Sequence, residues 1–476
     1  MKMIVKRVIY ITALILIAVG MLWYTDAVLK IKRSDGVTTI QGLYAQKENT
    51  VDVLLMGSSH AGMNLDTETL WSEYGIASYS PWGSVQPFWN SYYYLKEALK
   101  TQKPKAVVLD VYAATFQFEY SDDARQATNT VGMKLSRNKV EAVEASAPKE
   151  RRISLLTGMP IYHTRYDELT QDDFLHFPWS KDQINNKGTS YRYGKGNFEL
   201  EDATGVDIAV ALYPKQEEYL RKFIELCLNE KITLLLVTTP TTDRIGEQPY
   251  YNYVQKIADE YGVEYYNFNL MDQETGFKAE DYWTDGHICT KGARKITSYL
   301  GKLIKEKCEV EDHRGDPEYE SWNVNALNIR NGYLGTITDS VDYFDELSQT
   351  DKMVFIIKNS NWEEDEAYLQ LLENFRKIGV EPEIVKNYSG GDWILTSTQN
   401  GELIDQYFGD MYSKFECRGA SFIADFATGE GICVNGNKVY SLNGIGLICV
   451  VYDPETETCC DVVTFLQKDD FAMKRP

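Results

Sequence analysis

Val51-Asp-Val-Leu-Leu-Met56-Gly57-Ser58-Ser59-His60 is the stretch whose reading decides the fold. Val51–Met56 is apolar except at Asp52, the pattern of a short strand buried on both faces. Gly57 stops it, and Ser58 and Ser59 open the next element. A buried strand that turns sharply into a helix is the first half of an α/β unit. A serine on that turn stands at the C-terminal edge of the sheet with backbone N–H groups around it, the setting a nucleophile needs for its oxyanion. Serine is also an ordinary helix cap, so the turn alone carries little weight.

Outward from this stretch the α/β alternation continues. Residues 77–80 form a weaker strand, and a helix is predicted over 86–101. Ala106–Val111 follows Pro104 as a third strand. Tyr219, Phe223, Ile224, Cys227 and Leu228 recur at helical spacing within 214–230. Ile232–Val237 is a fourth strand, stopped by Thr238-Thr239-Pro240. A helix over 248–261 leads to a fifth strand, Val263–Phe268, and a last helix covers about 290–307. Five strands with helical crossovers predict a doubly wound, flavodoxin-like parallel sheet with its site beyond the strand C-termini. Residues 112–206 break the alternation as a mostly polar insertion.

A second block raises the value of the first. Tyr282-Trp-Thr-Asp285-Gly286-His287-Ile-Cys-Thr-Lys-Gly292-Ala293 lies between the last strand and the last helix. A histidine there can take the proton of Ser59, and a nearby carboxylate can fix its tautomer. Asp285 precedes His287 by two residues. His60, adjacent to Ser59 on the turn, is the poorer base because its side chain points elsewhere.

Composition narrows the function classes. The chain has 476 residues, too many for one ordinary core, so two folded domains are expected. With 49 basic and 70 acidic residues the net charge is −21, which disfavours binding to nucleic acid. The 33 tyrosines and 9 tryptophans suit a sugar- or lipid-facing surface or ordinary aromatic packing. The eight cysteines, five of them after residue 416, have no metal-site spacing, so no metal is expected, and a disulfide or two in the C-terminal part is compatible with them.

The N-terminus is a targeting signal. Lys2, Lys6 and Arg7 precede the uncharged run Val8–Tyr24, which as a helix spans roughly 26 Å. Trp23 and Tyr24 sit where an interfacial aromatic belt belongs. No small-x-small cleavage site follows, so residues 1–25 read as a single uncleaved membrane anchor with the bulk of the chain outside the cytoplasm, and 26–50 as a linker. The charged stretch Glu309–Pro317 reads as a domain boundary. Beyond it, 315–476 reads as an α+β or mainly β domain, with strands at 353–357, 421–424 and 445–452 and a helix around 363–378.

Residues 50–308 resemble the SGNH (GDSL-like) hydrolase family. Gly57-Ser58-Ser59 is similar to its Gly-Asp-Ser block with serine replacing aspartate. Asp285-Gly-His287 through Gly292-Ala293 and Thr297-Ser-Tyr-Leu300 resembles the last block of cell-envelope members of the DltD/AlgX-like type. The resemblance implies Ser59 as nucleophile and His287 as base, supported by Asp285 or Asp281 or acting as a dyad. It implies the N–H of Gly83, in Ser80-Pro-Trp-Gly83, as an oxyanion donor. The family's third-block asparagine has no counterpart after Val111. Pro160 through Phe174 also resembles envelope SGNH proteins, which makes His163 and Arg165 candidates for orienting substrate or for a structural pair. The family's chemistry needs no cofactor. It implies an esterase or O-acyltransferase acting on a cell-envelope polysaccharide or teichoic-type polymer, with a membrane-bound O-acyltransferase as partner. The alternative is a non-catalytic surface protein with a degenerate SGNH domain. Val434–Phe465 resembles the ILEI/PANDER-type domain, which implies carbohydrate binding or scaffolding.

Overall fold

The computed structural model describes residues 2–31, 35–175, 186–196, 198–283, 286–348, 350, 352–359, 365–383, 393–399, 401–409, 412–417, 420–425, 431–434, 436–440, 446–454 and 458–475. The chain divides into two compact units, Met1–Ala326 and Leu327–Pro476.

The first unit opens with the long helix α1 (Lys2–Leu29), within which Ile4–Leu29 is long and apolar enough to cross a membrane. Its side chains are exposed from Ile4 to Tyr24, and only Ala27 and Val28 in the last turn are buried. A short α2 (Val37–Tyr44) leads to β1 (Val53–Met56), α3 (Ser59–Asn64), α4 (Thr67–Tyr74), β2 (Ser78–Tyr79), α5 (Phe88–Ala98) and β3 (Ala106–Asp110). The insertion folds into short helices α6 (Asp123–Thr128), α7 (Arg137–Ser146), α8 (Lys149–Thr157), α9 (Met159–Tyr162) and α10 (Gln171–Leu175). The alternation resumes with α11 (Pro214–Asn229), β4 (Thr233–Thr238), α12 (Arg244–Tyr261), β5 (Glu264–Asn267), α13 (Asp272–Thr275) and α14 (Thr290–Lys307), followed by α15 (Glu320–Leu334).

The five strands form one parallel sheet in the order β2-β1-β3-β4-β5. All residues of β1 and β3 are buried, which is why those strands read as unbroken apolar runs. Alternate strand residues feed two cores. Leu54, Met56, Val107 and Leu109 meet α5, α11 and α12 on one face. Val53, Leu55, Ala106 and Val108 meet α3, α4 and α14 on the other. The helices on both faces and the parallel strands make this the doubly wound architecture.

The unit boundary lies later than the charged junction at 309–317. His313 is buried, with Nε2 2.7 Å from an Asp52 carboxylate oxygen and its ring stacked on Tyr319. Trp322 is 2% exposed and donates its indole N–H to the carbonyl of Ser78, while Trp71 donates to Asn323. The segment that reads as a linker therefore continues into a helix whose aromatic residues complete the first core.

The second unit comprises α16 (Ser340–Ser348), β6 (Met353–Asn359), α17 (Glu366–Phe375), β7 (Trp393–Gln399), β8 (Glu402–Gly409), β9 (Tyr412–Cys417), β10 (Ala420–Asp425), β11 (Gly431–Val434), β12 (Asn437–Tyr440), β13 (Gly446–Asp453), β14 (Thr458–Leu466) and β15 (Met473–Lys474). It holds a six-stranded antiparallel sheet, β15-β14-β13-β6-β7-β8, and a four-stranded one, β12-β11-β10-β9. Tyr343, Phe344 and Leu347 of α16 and Leu371, Leu372 and Phe375 of α17 share a core with β6, β13 and β14. Trp362 and Tyr388 lie outside the described residues, as does the side chain of Trp393. Among the described residues Cys227, Cys289, Cys308, Cys433, Cys449, Cys459 and Cys460 are free.

Candidate active site

Gly57 makes the turn after β1. Its φ is +145°, and a Cβ there would meet the carbonyl oxygen of Asp110 at 3.0 Å and the Cβ atoms of Ala61 and Asp110 at 3.1 Å, so only glycine fits. The two serines that follow divide their roles. Ser58 is buried and caps α3, its Oγ facing the N–H of His60. Ser59 is partly exposed as the first residue of α3.

His287 Nε2 lies 3.0 Å from Ser59 Oγ. The histidine sits on a tight turn. The bridge Tyr282–Ile288 closes its base, Trp283 N donates to the His287 carbonyl at 2.6 Å, and Gly286 adopts φ +89°. For Nε2 to accept the Ser59 hydroxyl proton, the imidazole must carry its own proton on Nδ1.

Asn64, at the end of α3, is fully buried and holds three elements together. Its Oδ1 accepts the N–H of Ile288 at 3.2 Å. Its Nδ2 lies 3.2 Å from His60 Nδ1 and donates to Thr239 Oγ1 at 2.9 Å. Thr239 in turn donates both its N–H and its hydroxyl to Asp110 Oδ2. Asp110 Oδ1 accepts the N–H of Tyr112. Burial raises the Asp110 carboxyl to about 6 against the pull of these donors.

His60 packs beneath this site, stacked on Tyr112 with ring centroids 3.7 Å apart and 4.9 Å from the His287 ring. Burial, and then the charge of His287, hold its pKa well below the usual histidine value. It is therefore a neutral wall at neutral pH rather than a second cation.

A strap from the insertion crosses the site. Ser190 N donates to the carbonyl of Gly62 on α3, while Arg192 exchanges bonds with Thr290 at the start of α14. The Arg192 guanidinium lies over the Trp283 ring, and Trp283 Nε1 donates to the Tyr193 carbonyl. The serine helix and the histidine turn are thus fixed from both sides.

The other residues singled out by sequence fall as follows. Asp285 lies outside the described residues. Asp281 is fully buried, and its Oδ2 accepts from Lys295 Nζ at 2.6 Å and from the N–H of Lys278 at 2.7 Å. Gly292 explains itself there, since a Cβ would reach the Asp281 carbonyl oxygen at 2.7 Å. Gly83 follows Trp82, whose indole lies against Gly62; a Cβ on Gly62 would be 2.0 Å from the ring. A Cβ on Gly83 would meet Asn129 Oδ1 at 1.9 Å, so that loop packs tightly beside α3. The structure places His163 and Arg165 at the end of α1. His163 is exposed with Nδ1 at the carbonyl of Pro160, and Arg165 donates to the carbonyls of Leu29 and Lys30 at 2.7 Å each. No third-block asparagine follows β3; Asp110 and Tyr112 occupy that edge.

Sequence reasoning missed Asn64, Thr239 and Tyr112. The available signal was Asn64 itself, a polar residue closing the short helix that Ser59 opens. Among the described residues no cluster of His, Cys, Asp and Glu could hold a metal ion.

No family model matches the sequence, and no curated protein matches it. A crystal structure of a Bacteroides fragilis protein described as a "putative acylhydrolase" is similar over 56% of this chain and 94% of that one, at 12% identity and a TM-score of 0.28.

Proposed function

We propose that this chain is a serine acyl-ester hydrolase or O-acyltransferase of the SGNH type. The observation that carries the reading is the 3.0 Å approach of His287 Nε2 to Ser59 Oγ, at the C-terminal edge of the sheet and the start of a helix. In this mechanism Ser59 Oγ attacks an acyl carbonyl and its proton passes to His287 Nε2. His287 then returns the proton to the departing alcohol as the ester C–O bond breaks. Water or a sugar hydroxyl attacks the acyl-Ser59 ester, gives its proton to His287, and releases the acid or the new ester. The N–H groups at the start of α3 and that of Gly83 are the candidate oxyanion donors.

The apolar α1 supports a membrane anchor, and in this proposal the bulk of the chain lies outside the cytoplasm. A cell-envelope glycan or teichoic-type polymer is then the substrate class, with a membrane-bound O-acyltransferase as the source of acyl groups and the second unit as the polymer-binding module. Protease added to intact protoplasts should digest the chain beyond α1, and full protection would exclude this placement. A non-catalytic role draws on one observation, the commitment of the Asp281 carboxylate to Lys295.

The test of chemistry is hydrolysis of a small acetyl ester by the wild type, Ser59→Ala, His287→Ala and the double variant. Each single change should lower kcat by on the order of 10⁴-fold, and the double variant should be no worse, because the two groups act as a unit. Full activity in Ser59→Ala would end the proposal.

A further inference from the structure

The insertion exposes apolar side chains that acyl-ester chemistry does not use. Among the described residues outside α1, the most exposed large apolar side chains are Leu135 at 78%, Ile153 at 73% and Tyr166 at 72%. Phe174 is also exposed, at 51%. Single exposed apolar residues are ordinary, but these four lie in one stretch of sequence, 135–174, parts of which are tied to α1.

Those ties are specific. The Tyr162 hydroxyl donates to the Asp26 carboxylate, and Arg165 donates to the carbonyls of Leu29 and Lys30. The Leu29 carbonyl belongs to the last turn of α1, where the helix supplies no partner of its own. Leu29 and Ile31 pack against Val131, Leu155, Ile161 and Tyr162. Along α1, side chains are exposed through Trp23 and Tyr24 and become buried at Ala27 and Val28. If Trp23 and Tyr24 mark the membrane interface, Leu29 stands only about 9 Å beyond it. The segment gripping Asp26 and Leu29 must then lie at the bilayer surface.

Charge agrees with that position. Residues 130–174, the stretch that carries all four side chains, contain seven basic residues against seven acidic ones and so are neutral, in a chain whose net charge is −21. A neutral, apolar-tipped stretch on an acidic protein is repelled least by a lipid surface.

We infer that this stretch, through Leu135, Ile153, Tyr166 and Phe174, docks on the bilayer that α1 crosses. The inference rests on α1 being a membrane anchor and not on the Ser59 chemistry. Docking holds the first unit against the membrane, so that it works on substrate arriving at the lipid surface rather than sweeping freely on a tether.

The test uses the full chain in liposomes of phosphatidylcholine and phosphatidylglycerol that contain a phospholipid with a photoactivatable diazirine near its headgroup. Adducts mapped by mass spectrometry should appear in α1 and also in peptides covering 135–174. They should be absent around Ile208, which is 69% exposed but has its carbonyl held by Asn252 of α12. Replacing the four apolar residues by serine should reduce insertion adducts about fivefold or more and leave α1 adducts unchanged. Adducts confined to α1, or insertion labelling no higher than at Ile208, would overturn docking while leaving the anchor intact. Absence of adducts in α1 would overturn both.

Discussion

Asn64 accepts the backbone N–H of Ile288 at 3.2 Å, and this bond joins the helix that begins with Ser59 to the turn that carries His287. The serine and the histidine come from segments 228 residues apart, so their 3.0 Å approach depends on such cross-links rather than on local sequence. Removing the cross-link should loosen the pair without touching either member.

Asn64→Ala is therefore expected to lower kcat about 10- to 100-fold with little change in KM, since small misplacements of a reacting pair are costly. Leaving the Ile288 N–H unpaired in the interior, and removing one of the partners of the Thr239 hydroxyl, should also cost about 1–3 kcal/mol of stability. Steady-state kinetics with a small acetyl ester, paired with urea unfolding, separates the two effects. Unchanged kcat in a folded Asn64→Ala variant would remove Asn64 from the positioning role.

Gly62→Ala places a methyl group where the Trp82 indole already lies, 2.0 Å from the ring. It should destabilise the protein by about 1–3 kcal/mol, and displacement of the loop ending at Gly83 should lower activity further. Adding Trp82→Phe to that variant should recover part of both losses by opening space. Thermal melts and ester turnover on the single and double variants check this.

Asp110 and Glu247 should make stability depend on pH. Burial raises Asp110 to about 6 and Glu247 to about 7. In both cases the folded value lies above the unfolded one, so the folded chain holds its protons longer. Stability from these groups is then full below their unfolded values near 4 and is lost as pH rises through about 6 to 7. Glu247→Gln should flatten the decline between about pH 5 and 7, measured as Tm against pH. A Tm that rises with pH across that window in the wild type but not in Glu247→Gln would reverse the assigned sign.

Much of the first unit was legible because parallel strands buried on both faces leave unbroken apolar runs such as Val53–Met56 and Leu234–Val237. The second unit was less legible. β8, Glu-Leu-Ile-Asp-Gln-Tyr-Phe-Gly, and β9, Tyr-Ser-Lys-Phe-Glu-Cys, mix polar and apolar residues, and the strands read from sequence fall on β6, β10 and β13, which carry continuous apolar stretches. The charged stretch 309–317 reads as a linker, yet His313 and Trp322 show the chain still building the first core. At the site, the turn residues Gly57, Ser59 and His287 were visible in local pattern. Asn64 and Thr239 were not, because a buried polar side chain acquires meaning only from partners far away in sequence. The same distance effect hid the bonds of Arg165 to the carbonyls of Leu29 and Lys30.

Truncation tests the unit boundary. A chain ending at Ala326 should fold and keep small-ester turnover, because it retains Tyr319 and Trp322 in the first core. A chain ending at 314 loses the Trp322 indole and its bond to Ser78, and a buried aromatic of this kind is worth about 3–5 kcal/mol. It should express poorly or melt well below the longer fragment. Equal stability of the two fragments would move the boundary back to the charged junction.

The central claim is that Ser59 is a nucleophile activated by His287. The most direct measurement is labelling of the full chain with a fluorophosphonate probe, with the modified residue located by mass spectrometry. The account predicts covalent phosphonylation at Ser59, its loss in Ser59→Ala, strong slowing in His287→Ala, and none at the neighbouring Ser58, which is buried as the cap of α3. Labelling at Ser58, or equal labelling of wild type and His287→Ala, would contradict it.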